Sequence, residues 1–525
     1  MDLLKRGCSL IGVFLVAWTL SWAQAPDAPA SGPGAKLSLL EALESTLANQ
    51  PQLHLGQQQV EISRALKQQA SGQFDLTVGS NFSQNHLDTP LTLYEQEIAA
   101  IGGSSASYLA QDLSTFNAGA TKLYRNGIAI NPTYQTIRIT DNSTTKEGTN
   151  FSQLMFQVMV PLMRGRGRAV VAAQETAADI EVNATLLDLN QTISSLFSGT
   201  ATAYWNALAA ERALEVARAS EERGGVYVDT VQTLINADRL ARTEINQATA
   251  NLSGRMANRV SAEQTLIEAQ QQLALAMGST ADQMSSAGNP SEDFPPVGAE
   301  TLPVVDSTLM EKYVQKALQR RADYLASQRR VREADVLLGA ARNQLKPLVT
   351  LNLDTGVSGL SEGTGLAQFF SSPYHSIKGL DALAGITYNF PPRNDLATGQ
   401  LRQAQAALTQ AEIRRDDLGR NIASAVVTAL NGVHNAIVQV LKSRESVKAF
   451  QAALDGEQEK FRLGVNSLTD VLTLEDRLTI AMQSQVNAEL AYALALTQLR
   501  LATGTIVEPD QAVQSVDRNV FFSMP

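Results

Sequence analysis

In FRLGVNSLTDVLTLEDRL, residues 461–478, the carboxylates Asp470, Glu475 and Asp476 follow hard on Gly464, Asn466 and Ser467. Glycine, asparagine and serine leave helical dihedrals at low cost, so they interrupt what is otherwise one very long helical pattern. Asp470 then falls at the start of the next helix, where a carboxylate suits the positive helix end. This is the chemistry of a helix start, and nothing elsewhere adds a catalytic constellation. His54, His86, His375 and His434 are isolated, with no H-x-x-x-H spacing, and neither a Walker loop nor a nucleophile elbow occurs. No enzymatic activity, cofactor or metal is expected.

The elements that hold these residues begin behind a leader. Lys5 and Arg6 precede an apolar run from Leu10 to Leu20, and Ser21-Trp22-Ala23 supplies a small-x-small cleavage site. That is the pattern of a signal peptide over 1–23, too short in its apolar part to span a bilayer as a helix. Cys8 is the only cysteine and lies ahead of the apolar run, so a mature chain starting near Gln24 has no disulfide and no thiolate site. A formal charge of −10 argues against nucleic acid as the main partner, and RGRGR at 164–168 is too short to reverse it. No later stretch reads as a transmembrane helix, so entry into a membrane would require strands.

The chain contains two copies of one unit. Residues 51–78 lie over 322–349 without a gap, bringing Gln57 onto Gln328, Val60 onto Val331 and Ala70 onto Ala341. QQQLALAMG, ending at Gly278, matches LTQLRLATG, ending at Gly504. The expected organisation is a flexible segment 24–36, a first repeat 37–280, a turn-rich linker 281–307, a second repeat 308–505 and a tail 506–525.

Each copy changes periodicity in the same order. A helix from Leu39 to about Ser71, or from Thr308 to about Asn343, leads into a strand in which Phe74, Leu76, Val78 and Phe82, or Val349, Leu351, Leu353 and Val357, alternate with polar residues. A second strand returns through Leu154–Val160 or Ile386–Phe390 and ends at proline. Helices over 170–235 and 399–461 follow, each about 90 Å long at 1.5 Å per residue. Shorter helices over 242–277 and 468–503 then return, the last with a coiled-coil seam rich in alanine. Two-faced strands of this length suit a transmembrane barrel as well as a half-buried soluble sheet. Four strands cannot close a barrel alone, so several chains would have to share one.

This order, twice over, resembles the TolC-like outer membrane efflux family. The resemblance is carried by LSLLEALESTLANQPQL at 37–53, VPLMRGRGR at 160–168, FRLGVNSLTDVL at 461–472 and LRLATG at 499–504. It implies a mainly α protein with a transmembrane β portion: a homotrimer giving four strands per protomer to a twelve-stranded barrel in outer membrane lipid, continued by a periplasmic α-helical tunnel. Such proteins are exit ducts that work with a periplasmic adaptor and an inner-membrane transporter. The resemblance puts 461–472 at the periplasmic tip and the gate aspartate on Asp470, so that threefold symmetry would set three carboxylates at a cation-favouring constriction. Around it the family's tip tyrosine, arginine and second aspartate fall on Phe461, Asn466 and Thr473, and a closed-state network should be weaker. In the first copy, NADRLARTEI at 236–245 puts Thr243 and Glu244 where the family has Thr-Asp, and Asp238 at the usual glycine. Arg239 and Arg242 are additional charges, expected to pair across chains with Asp470 or Glu244.

By the same resemblance, the adaptor docks on the tips, where Leu463-Gly464-Val465 fits the motif and Ala237-Asp238-Arg239 departs from it. Segments 84–149 and 358–381 should face outside the cell, the first as an extra hairpin or plug-like lid. The competing reading is a secreted coiled-coil scaffold or adhesin without a pore, which leaves the duplicated strands unexplained.

Overall fold

A capping box starts the helical part. Ser38 N–H donates to the Glu41 carboxylate at 2.8 Å, and Glu41 N–H donates to Ser38 Oγ at 3.2 Å. The computed structural model describes residues 36–101, 105–142, 147–280, 288–297, 306–375, 377, 379–508 and 518–525. The expected leader lies outside them. Helix α1 (Leu39–Asn49) stops at Gln50 and α2 (Pro51–Gly72) starts anew, where one continuous helix was expected. Pro51 supplies no N–H and holds Gln50 extended, at φ −71° and ψ 118°.

The second half breaks at the matching place. Helix α7 (Ser307–Arg320) gives way to α8 (Ala322–Gln344) at Arg321, which is extended with φ −66° and ψ 121°. No proline is present there, but a two-pronged Arg321–Asp323 contact at 3.0 and 2.5 Å holds the corner. Each break is covered by a glycine. A β-carbon on Gly278 would lie 2.7 Å from the Asn49 carbonyl carbon, and one on Gly504 2.9 Å from Arg321 Cα.

The long helices are α5 (Ala173–Asn236) and α10 (Asp395–Arg462), returned by α6 (Glu244–Ala276) and α11 (Leu468–Ala502). At 64 and 68 residues, α5 and α10 run for about 100 Å at 1.5 Å per residue. One core surrounds Phe197, Tyr204, Trp205 and Leu208 of α5, and Phe521 and Phe522 of the C-terminal tail pack into it. The linker is also docked: Asn289–Pro290 pairs in parallel with Lys36–Leu37, and Tyr204 Oη accepts from the Ser291 and Glu292 N–H groups. A second core follows α10 through Ile422, Val426, Leu430, Val433 and Ile437. That stretch corrects one expectation, since α10 does contain a window apolar and long enough for a membrane span, with mean hydropathy 1.3. Its buried apolar residues pack against α11 and α7 in the bundle.

The largest correction concerns the sheet. Four strands per protomer were expected; one antiparallel sheet of six is found, in the order β2–β3–β4–β5–β7–β8. The strands are β2 (Thr77–Pro90), β3 (Tyr108–Leu123), β4 (Ala129–Asp141), β5 (Thr149–Pro161), β7 (Leu348–Glu362) and β8 (Asp381–Asn389); β1 and β6 are the short pair Lys36–Leu37 and Asn289–Pro290. The expected first pair, β2 with β5, are not neighbours, because β3 and β4 lie between them. The middle of segment 84–149 therefore returns to the helix end of the sheet, where residues 124–128 make the turn, and does not stay at the outer end.

Opposed residues of an antiparallel ladder share a face. Ser80, Ala118, Tyr134, Leu154 and Val357 form one row, and Ile130, Val158, Leu353 and Ala384 another on the same, largely apolar face. On the opposite face the rows read Asn81, Asn117, Gln135, Gln153 and Ser358. Towards the outer end the polarity exchanges, with Gln84, Ser114, Arg138, Asn150 and Ser361 continuing the formerly apolar face. There a short helix α9 (Leu366–Ser371) covers it, Arg138 donating to Thr364 O at 2.9 Å and Gly365 O at 2.6 Å.

Candidate functional site

Two helix reversals form the tip farthest from the sheet. At the first, Asp238 N–H donates to Ile235 O at 3.0 Å and Arg239 N–H to Leu234 O at 2.9 Å. At the second, Gly464 N–H donates to Phe461 O at 2.9 Å and Val465 N–H to Lys460 O at 3.0 Å. Both are left-handed helix terminations, which require a positive φ at one residue. Gly464 takes it with φ 74°, and Asp238, standing where a glycine is usual, takes it with φ 57°.

The returning helices start differently. Ser467 caps α11: its Oγ accepts from Asp470 N–H at 3.3 Å, while the Asp470 carboxylate accepts from Ser467 Oγ at 2.7 Å and from Ser467 N–H at 3.2 Å. The exposed Asp470 thus turns back onto its own helix start. Thr243 precedes α6 with no side-chain cap. Glu244 is half-buried, and Arg239 and Arg242 are exposed and make no ion pair within the protomer among the described residues. The Asn466 amide donates to the Glu457 carboxylate, and Thr473 Oγ1 donates to Thr469 O at 2.7 Å along its own helix. Leu463 and Val465 project outward, 68% and 71% exposed, and Ala237 and Asp238 of the other reversal are also exposed.

A small core joins the two reversals. Phe461 packs with Ile235, Ile245, Leu468 and Val471, and Gln247 Nε2 donates to Thr469 Oγ1 at 3.1 Å. Gln458 Nε2 donates to Tyr227 Oη at 2.5 Å, and burial pushes the Tyr227 hydroxyl pKa up.

Just inside this core lies a charge network to which the sequence reading assigned no role. Glu475 of α11 is fully buried and meets Arg223 of α5 and Arg255 of α6, the latter at 3.3 Å. Arg255 is only 5% exposed; it also donates to Asp476 at 2.9 Å, to Ser220 O at 3.0 Å and to Asn251 Oδ1 at 2.6 Å. Gly224 makes room, since a β-carbon there would stand 2.9 Å from Arg255 Cδ. Two arginines and two carboxylates therefore tie three helices together, and the burial of Glu475 and Arg255 carries a desolvation cost that their pairing offsets. The glycine pair 224–225 inside a long helix was the available signal. The partners, however, come from three separate helices and have no common local pattern.

With a two-faced sheet above and a tip of paired helix reversals below, the comparisons with known proteins become decisive. The outer membrane efflux protein profile matches residues 136–279 and 313–505. The chain belongs to the outer membrane efflux protein family. It is 24% identical to outer membrane protein TolC of Escherichia coli over 403 residues, covering 76% of each chain. Outer membrane efflux protein BepC of Brucella suis is 26% identical over 274 residues, 52% of this chain and 55% of BepC. Among solved structures, the Campylobacter jejuni CmeC outer membrane channel aligns with a TM-score of 0.64 at 13% identity, covering 97% of this chain and 96% of CmeC. Structures of CusC also give 0.64, at 15% identity over 92% of this chain and 95% of that one. This outer membrane efflux protein thus carries its sheet in the outer membrane and its helices in the periplasm.

Proposed function

We propose that the protein is the exit duct of a tripartite efflux or type I secretion assembly, working as a homotrimer that receives cargo from a periplasmic adaptor and an inner-membrane transporter. The carrying observation is the open sheet. Both edge strands, β2 and β8, are exposed almost throughout, and an open edge in lipid would leave backbone groups without partners. Copies of the same chain can satisfy them, and the two-faced rows supply a lipid side and a water side. The near-matching breaks at Gln50 and Arg321, under Gly278 and Gly504, support a tandem duplication with boundaries 37–280 and 308–505.

At the tip, three copies of Asp470 would ring the constriction, with Glu244, Thr243, Phe461, Asn466 and Thr473 around it. The unpaired Arg239 and Arg242 close it by reaching a neighbouring protomer's Asp470 or Glu244. The exposed Leu463-Gly464-Val465 ridge, together with Ala237 and Asp238, is the adaptor-docking surface.

Planar-bilayer recording of the detergent-purified mature protein tests the duct and its gate together. A heat-modifiable trimer should conduct ions, and neutralising Arg239 and Arg242 should raise its conductance. A monomeric, water-soluble protein that never conducts would overturn the duct; a double variant with unchanged conductance would overturn the arginine gate.

A further inference from the structure

We infer that the hairpin β3–β4 is part of the barrel wall, so that a trimer of this chain closes eighteen strands and its mouth is about one and a half times as wide as a twelve-stranded one, since barrel diameter grows roughly in proportion to strand number. The inference rests on the trimer proposed above. A plug or lid would hang inside the bore and would have no reason to copy the wall's two faces. The hairpin copies them: Ala118, Tyr134 and Ile130 continue the apolar rows, and Asn117, Gln135 and Thr133 continue the polar ones. Its strands are hydrogen-bonded on both sides, β3 to β2 and β4 to β5, over fourteen and eleven residue pairs. The apolar face runs from Val349 to Val357 on β7, about 27 Å along a strand at ~3.4 Å per residue, which is the scale of a membrane barrel's apolar band once the strands are tilted.

A wider sheet must still join the helices below, and the join is built for that mismatch. Helices α2 and α5 pack side by side, with Ser63 Oγ and Thr185 Oγ1 at 3.1 Å and Lys67 and Asp179 at 2.6 Å. The strands that continue them, β2 and β5, are nevertheless held two strands apart. The hairpin turn fills the resulting wedge. Arg125 grips Glu175 of α5 through two bonds of 2.7 and 2.5 Å and lies 4.7 Å over the Phe74 ring, while Lys122 Nζ donates to Phe74 O at 2.5 Å. Asn126 O accepts from Gly167 N–H at 3.0 Å, and any side chain at Gly127 would run into Gly165 O. The barrel flares above the tunnel and the hairpin turn seals the flare, so the size limit for cargo sits in the helical part and not at the mouth.

Two disulfides and an image test this. The expected mature chain has no cysteine, so Asn81→Cys with Asn117→Cys, and Gln135→Cys with Gln153→Cys, can each be oxidised in intact membranes. Both pairs face each other in register and should crosslink almost completely within one chain. Electron microscopy of the wild-type trimer in lipid should resolve eighteen strands. Folded trimers in which neither pair crosslinks, or a twelve-stranded ring with hairpin density in its bore, would overturn the inference and leave the duct intact. A particle that is not a trimer would overturn both the assembly and the strand count.

Discussion

The two halves of the molecule use the same backbone plan with different residues, and the contrast is sharpest at their tips. Both reversals end in a left-handed residue, but the second supplies Gly464 and a capped helix start, and the first supplies Asp238 and an uncapped one. The second exposes Leu463 and Val465; the first exposes Arg239 and Arg242. The second reversal thus turns on a glycine beside two exposed apolar side chains, the first on a strained aspartate beside two exposed arginines. Two halves with one backbone plan present unlike surfaces at their tips.

Next to the small core that joins the tips lies the charge network, and breaking it has the largest expected effect. Glu475→Ala removes the fully buried carboxylate between Arg223 and Arg255, a loss of about 3–5 kcal/mol for a broken buried pair. Asp476→Ala removes a carboxylate that is 53% exposed and should cost about 1 kcal/mol or less. Urea unfolding, with amide exchange of α6 and α11 as the local readout, separates the two. Equal effects would mean that the buried carboxylate is not what joins the halves.

Capping comes next. Ser467→Ala removes a reciprocal cap and should cost about 1 kcal/mol, whereas Thr243→Ala, with no cap to lose, should be close to neutral. Exchange rates at the first turns of α11 and α6 read this directly, and a costly Thr243→Ala would erase the proposed asymmetry. The left-handed residues give a smaller pair of opposite signs. Asp238→Gly should gain, and Gly464→Asp should lose, up to about 1 kcal/mol through backbone strain. Gly464 has open space where a β-carbon would go, so conformation alone is being measured there.

Much of this frame was legible in the sequence because long helices and regular strands advertise their period. The reversals at 236–244 and 462–468 and the strands around Val78, Val158, Val349 and Ile386 were all visible that way. The β3–β4 hairpin hides its place in the sheet because its polarity changes face midway. On β4, Ile130 and Tyr134 lie on one face and Ile137 and Ile139 on the other, so no single alternation runs its length. The Gln50 break was announced by Pro51, yet the apolar repeat runs through it; the Arg321 break has no local signal and depends on a corner closed by Asp323. The Glu475 network was hidden because burial of a charge is decided by partners on other helices.

The last and smallest difference between the halves lies along the paired helices. In the matched register, Glu333 of α8 stands where α2 carries Ile62. Burial, and then the neighbouring Glu181 carboxylate, push the Glu333 carboxyl up to about 7 from its ordinary 4.5. Arg330 is engaged by Glu181 at 3.0 Å and by Asp188 at 2.5 Å, so it only partly relieves Glu333. Between those two pKa values the folded chain holds a proton that the unfolded chain has released, so stability must fall as pH rises through that window and level off above it. Glu333→Gln removes the titrating group. Melting of wild type and variant at pH 5 and pH 8 should therefore show a gap that opens in the variant's favour at the higher pH. A gap of the same size at both would mean that the Glu333 pKa is not raised in the folded chain.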